Sequence, residues 1–189
     1  MESLFIETEK TKKEFSEKLK KVNKPIIYTE GNNVVYIKKA KEFFAPSLDL
    51  DIESLGCKTD IKKFFTRYSE ANFERYKILF VFDCDAKDDF NACNSKKTNF
   101  LIPFIFKNNT ENTEKEIQAG IENLFSSELF TDEQKNFSIT ETKKDGNIIS
   151  RERTLRKPEF QKFICEERNE ESDFKNFDAL FKEMEKLFK

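Results

Sequence analysis

The sequence predicts an α/β fold, a three-layer sandwich on a mainly parallel central sheet. Three observations lead there. Short apolar, β-favouring runs alternate with segments whose apolar residues recur at helical spacing. One of those runs, Lys77 to Phe82, is continuously apolar from Ile78 on, as expected of a strand buried on both faces. The chain has 189 residues, enough for one domain with a sizeable core, and no internal repeat or low-complexity linker divides it. Residues 1–189 therefore read as a single domain, with an N-terminal helix in 1–24, a core in 25–125 and a C-terminal extension in 126–189 that ends in a helix.

The elements follow in order. Glu7 to Val22 is highly charged, and Phe15, Leu19 and Val22 make a thin apolar stripe at helical spacing. Pro25 suits a strand start, and Ile26 to Thr29 is the first strand. Asn33 to Phe44 places Tyr36, Ile37, Ala40, Phe43 and Phe44 on a common helix face, and Pro46 ends it. Leu48 to Leu55 alternates apolar and polar, the period of a half-exposed edge strand. Thr59 to Phe73 reads as a helix with Ile61, Phe64, Phe65 and Tyr68 on one side. After the Lys77–Phe82 strand, Asp83 to Thr98 is polar and turn-like. Asn99 to Phe106 is a further strand, interrupted by Pro103. Thr113 to Glu116 has the form of a capping box, which predicts a helix through Ile117, Ile121, Leu124 and Phe125. Phe137 to Thr142 is a short strand, and Lys144-Asp145-Gly146-Asn147 is a hairpin turn. Pro158 opens a helix to about Cys165. Asp173 to Phe188 is a helix with Phe174, Phe177, Phe181, Met184 and Phe188 along one face, read as core.

Composition narrows the chemistry. Hydrophobic and charged residues each make up 37%, and 22 phenylalanines with no tryptophan make Phe the main core filler. The net charge of −2 argues against a globally basic nucleic-acid coat, so binding nucleic acid would need a local basic patch or a bound cation. Cys57, Cys84, Cys93 and Cys165 form no C-x-x-C pair, which disfavours structural zinc. No apolar stretch approaches the ~20 residues of a membrane helix, and no secretory h-region stands at the N-terminus. The expectation is a reduced, cytoplasmic protein without a membrane. The chain has no histidine, which removes Ser-His-Asp, Cys-His and H-E-x-x-H mechanisms. No G-x-x-x-x-G-K-[ST] is present, so no P-loop ATPase is built in.

Two short stretches stand out against this background. Pro25-Ile26-Ile27-Tyr28-Thr29 ends on Glu30-Gly31, and Ile78-Leu79-Phe80-Val81-Phe82 ends on Asp83-Cys84-Asp85. Ligands of open α/β sheets sit at the carboxyl ends of the strands. Three carboxylates gathered there read as a divalent metal site. Acids after buried strands are common, because strand ends meet solvent, so either stretch alone says little. Cys84, between the two aspartates, is expected to point away from them into the core. Asp88 and Asp89 are expected to cap a loop or helix.

The order strand–Glu-Gly–helix, then strand–Asp-x-Asp, resembles the Toprim domain, firmly over Pro25 to Phe106, and most closely the OLD-type (overcoming lysogenization defect) nucleases. The resemblance implies a Toprim/Rossmann-like sandwich and a magnesium- or manganese-dependent endonuclease that hydrolyses phosphodiesters of DNA or RNA. By the same resemblance Glu30 is a catalytic acid/base or metal ligand, and Asp83 and Asp85 are metal ligands. Gly120-Ile121-Glu122 resembles a further element in which the glutamate, here Glu122, helps bind a second metal. Lys157 stands where such enzymes carry a basic residue ahead of a C-terminal helix, and would stabilise charge on phosphorus. Arg151, Arg153 and Arg156 surround it as a candidate nucleic-acid-binding patch. A separate ATPase partner, oligomerisation and a role in phage defence or repair are further implications.

One position departs from the pattern. Many Toprim domains carry a second acid four residues after the first, and here that position is Val34, beside Asn32 and Asn33. Either Asn33 or Glu122 substitutes, or one metal suffices. A degenerate Toprim-like scaffold is the alternative that Val34 motivates. A haloacid-dehalogenase-like phosphatase is a lesser one, because Asp83-Cys84-Asp85 echoes its nucleophile motif, although Ala86-Lys87 follows where that family has Gly-Thr.

Overall fold

The computed structural model describes residues 24–71, 74, 76–130, 136–144 and 147–188. The helix expected over Glu7 to Val22 lies outside these residues, as do Asp145 and Gly146 of the expected turn. The central sheet has four parallel strands: β1 (Ile26–Thr29), β2 (Asp51–Ser54), β3 (Ile78–Phe82) and β4 (Leu101–Ile105), in the order β2-β1-β3-β4. Helices flank it: α1 (Asn33–Phe44), α2 (Lys58–Glu70), α3 (Lys87–Asn94), α4 (Lys157–Lys162) and α5 (Asp178–Phe188). The α/β sandwich on a parallel sheet is therefore the observed fold.

Alternation along the strands builds the three layers. Ile27, Leu79 and Val81 face one core, with Tyr36, Ile37 and Ala40 of α1 and Leu180, Phe181 and Met184 of α5. Ile26, Tyr28, Ile78, Phe80 and Phe82 face the other, with Ile61, Phe65 and Tyr68 of α2 and Cys93 of α3. A period of two on a strand sends neighbours to opposite faces, so a run with no polar residue is what a doubly covered strand requires. All five residues of β3 are fully buried. β2 is an edge strand of half-exposed pattern, as its alternation foretold. β4 lies at the other edge, where Pro103 is tolerated because one side of the strand has no ladder to fill.

Four expectations are corrected. Asp83 to Thr98 is not all turn: Lys87 to Asn94 forms α3, with Asp88 and Asp89 in its first turn, where carboxylates complement the helix dipole. The segment after Thr113 is not one helix but three 3-10 turns, Lys115–Ile117, Ile121–Leu124 and Ser127–Phe130. Gly120, at φ +78, breaks the helix, and asparagine side chains take the backbone groups a helix would have used. Asn123 Oδ1 accepts from Asn109 N at 2.7 Å, its Nδ2 donates to Ile117 O, and Asn112 Nδ2 donates to Phe125 O. The C-terminal helix begins only at Asp178, after a 3-10 stretch over Glu171–Phe177, though Phe174, Phe177, Phe181 and Met184 are core as expected. Likewise the helix that Pro158 opens continues beyond Lys162 as a π-helical stretch, Phe163–Arg168, closed by Asn169 in the left-handed region.

A two-stranded antiparallel sheet completes the chain: β5 (Phe137–Lys144) and β6 (Asn147–Leu155), with Lys144 opposite Asn147. Arg153 lies 4.1 Å over the Phe137 ring and 3.6 Å from both Glu114 and Glu116, which ties this hairpin to the 3-10 segment. Among the described residues no helix is long and apolar enough to cross a membrane.

Candidate functional site

The strand order fixes where a ligand has room. The chain passes from β1 to β2 on one side and then crosses to β3 on the other, so β1 and β3 flank the point where the winding reverses. Loops leaving β1 and β3 diverge to opposite faces, which opens a crevice at their carboxyl ends. Glu30 ends β1, and Asp83 ends β3 beside it.

The crevice is pinned by backbone contacts. Gly31, at φ +32, donates its N–H to Gly56 O at 2.6 Å, and Gly56 itself sits at φ +88. This stitches the loop after β1 to the loop before α2, whose first residue is Lys58. Cys57 and Asp60 close a capping box there. The backbone N–H groups of Lys58 and Asp83 lie against the Glu30 carboxylate.

The acids work against one another. Glu30 Oε1 is buried with no hydrogen-bond partner. Burial, then the nearby Asp85 charge, raise the Glu30 pKa, while Lys58 and the two backbone N–H groups offset part of that rise. Asp83 is 9% exposed, and burial followed by the charge of Glu30 pushes its carboxyl up to about 7. Asn33, the first residue of α1, donates Nδ2 to Asp83 Oδ1 at 2.7 Å and favours its ionised form. Asp85 is exposed and pairs with Lys58 Nζ at 3.3 Å.

Two residues from far along the chain arrive at the same place. Glu122 is buried, and its Oε2 accepts from Lys157 Nζ at 2.9 Å. A Cβ on Gly120 would stand 3.2 Å from Glu122 Oε2, 3.8 Å from Lys157 Nζ and 3.9 Å from Asp83 Oδ2, so these three groups meet around that glycine. Lys157 is delivered as the first residue of α4, directly after the hairpin. Cys84 departs from expectation. It is half-buried rather than core, and its Sγ donates to Gly120 O at 3.5 Å, joining the Asp83–Asp85 turn to the Glu122 segment. Burial pushes its thiol up to about 11, so it stays protonated.

Glu30, Asp83, Asp85, Glu122 and Lys157 therefore share one edge of the sheet. Their carboxylates do not converge on a single point. Asp85 is turned to Lys58 and Glu122 to Lys157, and among the described residues no three Asp, Glu or Cys side chains form a ready ligand set. The arginines are less uniform. Arg153 is engaged by Glu114, Glu116 and Phe137, Arg151 stands 4.0 Å from Glu141, and Arg156 is exposed. Val34 packs against the core with α1 and takes no place among the acids. Motif spacing alone missed Lys58 and the part of Gly120. Lys58 follows the carboxyl end of β2, and position after a strand end is the signal that finds it, whereas Gly120 lies between two 3-10 turns far from any strand end and carries no such signal. No protein-family model, no curated protein and no solved structure matches this chain.

Proposed function

We propose that the chain is a Toprim-like, divalent-metal-dependent nuclease that hydrolyses phosphodiester bonds of nucleic acid. The observation that carries this reading is the meeting of Asp83, Glu122 and Lys157 around Gly120, at the crevice that Glu30 also borders. Donor chemistry, rather than a ready ligand set, points to magnesium or manganese. It is all carboxylate oxygen, the nearby thiol stays protonated, and Glu30 Oε1 is a buried acceptor without a partner. Asp83, Asp85, Glu30 and Glu122 are the residues that would hold the ion, which supplies Lewis-acid polarisation of a phosphoryl oxygen.

The chain's own residues set the rest. Asn33 orients Asp83 and favours its anion. Lys157, bound to Glu122 yet itself largely exposed, keeps N–H donors available for charge that develops on phosphate oxygens. Glu30, whose carboxyl is raised by burial and by the Asp85 charge, would pass a proton to a leaving oxygen or take one from water. An ATPase partner and a role in defence or repair belong to the same proposal and rest on the resemblance alone.

The test is direct. Purified chain is incubated with plasmid, single-stranded DNA and RNA in magnesium or manganese. Cleavage that disappears in Asp83→Ala and Asp85→Ala supports the reading, and wild type as inert as both variants on every substrate removes it. The second reading, a binding scaffold without chemistry, draws on Val34, which packs against the core where an acid would be expected. It predicts that inertness together with retained folding.

A further inference from the structure

A cavity of about 600 Å³ opens where β4 ends, between Phe104–Glu111 and Lys175–Lys182. That is the size of a small-molecule pocket. Its floor is aromatic. Phe104 is half-buried, its ring stands 5.3 Å from that of Phe106 at 86°, and Phe106 packs in turn on Phe177. One wall is open sheet edge. Ile78 N–H donates to Phe100 O and Phe106 N–H to Phe82 O, so Ile102 and Phe104 turn their backbone groups to β3 and Ile105 turns its own outward. Among the described residues neither the N–H nor the C=O of Ile105 has a partner. A peptide strand would find a broken ladder along this edge, because Thr98 takes both backbone groups of Leu101 and Pro103 has no N–H. The remaining walls are held in place. Asn109 Nδ2 donates to Phe125 O at 3.3 Å and Asn176 Nδ2 donates to Leu124 O, both at the end of the 3-10 turn that carries Glu122. Of the lysines around the cavity, Lys175 pairs with Glu111 and Lys182 with Asp178. Lys107 is exposed and makes no ion pair among the described residues.

We propose that this cavity is a subsite for one unpaired nucleotide of a nucleic-acid strand. The base stacks on Phe104, its hydrogen-bonding edge meets the N–H and C=O of Ile105, and Lys107 takes a phosphate oxygen. The inference deepens the proposed nuclease function and rests on its nucleic-acid substrate, not on a bound metal. A stacking platform suits every base, since each has a π-face. Each base also carries a donor beside an acceptor on its pairing edge, which is the complement of a lone backbone N–H and C=O. Those edges are occupied in a duplex, so the cavity selects an unpaired strand. Its position ties it to the crevice. Phe106 of the cavity floor is hydrogen-bonded to Phe82, and Asp83 is the next residue. Neighbouring strands lie about 5 Å apart, so a nucleic-acid strand lying across the crevice runs on into the cavity.

The experiment measures fluorescence anisotropy of labelled oligo(dT), oligo(dA) and their duplex in EDTA across salt concentrations. Wild type, Phe104→Leu, Phe104→Tyr and Lys107→Gln are compared, each full-length and checked for matching melting curves. Phe104→Leu keeps an apolar filler but loses the stacking face. It should weaken single-strand binding about five-fold or more and leave duplex binding as it was, and Phe104→Tyr should restore the loss. Lys107→Gln should make the log–log salt slope for the single strands smaller by about 0.7. That variant changes only an exposed side chain, so it decides the matter should Phe104→Leu fail to fold. Single-strand binding unchanged in Phe104→Leu, an equal loss for single strand and duplex, or an unchanged slope in Lys107→Gln overturns the subsite. So does a wild type that binds no oligonucleotide. Cleavage in manganese separates this inference from the nuclease reading. Single-strand cleavage that Asp83→Ala abolishes and Phe104→Leu leaves intact removes the subsite alone. Selective loss of single-strand binding in Phe104→Leu, with no cleavage by wild type, removes the nuclease reading and supports the subsite.

Discussion

Replacing Asp83 by asparagine should make the metal-free protein more stable, and increasingly so as pH rises. The side chain is 9% exposed, and its carboxyl is pushed from 3.8 up to about 7 by burial and by Glu30. A native pKa above the unfolded one means that the folded state binds more protons between those two values. Stability is therefore fully present below about pH 4 and declines as pH climbs toward 7. The gap corresponds to about 4 kcal/mol once Asp83 is ionised. An amide keeps the oxygen that accepts from Asn33 Nδ2 and carries no charge, so Asp83→Asn escapes the penalty. Urea unfolding in EDTA at pH 4, 5.5, 7 and 8 measures the difference. The expected gain is near zero at pH 4 and approaches about 4 kcal/mol at pH 8, which for a chain of this size is roughly 10 °C in Tm. A Glu30→Gln background should shrink the gain, since Glu30 is one of the charges that raise Asp83. A gain that is absent, or the same at every pH, would refute the picture of two buried carboxyls working against each other.

Two further substitutions probe the parts that build the site. Gly120 adopts φ +78 with ψ −180, a region almost reserved for glycine, and its Cβ would press on Glu122 Oε2 at 3.2 Å. Gly120→Ala should cost about 1–3 kcal/mol in chemical denaturation and weaken manganese binding measured by calorimetry; unchanged values in both would show that the segment carrying Glu122 is looser than its geometry implies. Phe125 packs against the rings of Tyr36, Phe160, Phe174 and Phe177 with centroids 5.3–5.5 Å apart. Phe125→Ala should cost about 3–5 kcal/mol, read by the same denaturation, and a loss under 1 kcal/mol would mean that this core collapses into the gap.

Much of the sheet was legible because strand burial writes itself as periodicity. β3 reads as a doubly covered strand from Ile78 to Phe82, and β2 reads as an edge from its alternation. The helices α1 and α2 carry regular apolar faces and appear where those faces predict. The segment from Thr113 to Phe125 misled because its apolar spacing is helical while Gly120 and three asparagines favour local turns, a competition that spacing does not register. α3 was missed because it is short and exposes most of its polar residues, which leaves little apolar face to read.

By itself the sequence determined the kind of fold and which acids to watch. Alternating elements pointed to an α/β sandwich, the lack of histidine closed one set of mechanisms, and acids at two strand ends marked a candidate edge. Only the tertiary structure decided what those acids face. Strand order places the reversal of winding between β1 and β3, and pairing across the sheet is non-local, so no window of sequence contains it. The same holds for Glu122 with Lys157, 35 residues apart, and for Asn33 with Asp83, 50 apart. Their mutual burial turns ordinary side chains into a site in which a carboxyl titrates near 7. That shift comes from lost solvation and crowded charge, which exist only once the chain has folded.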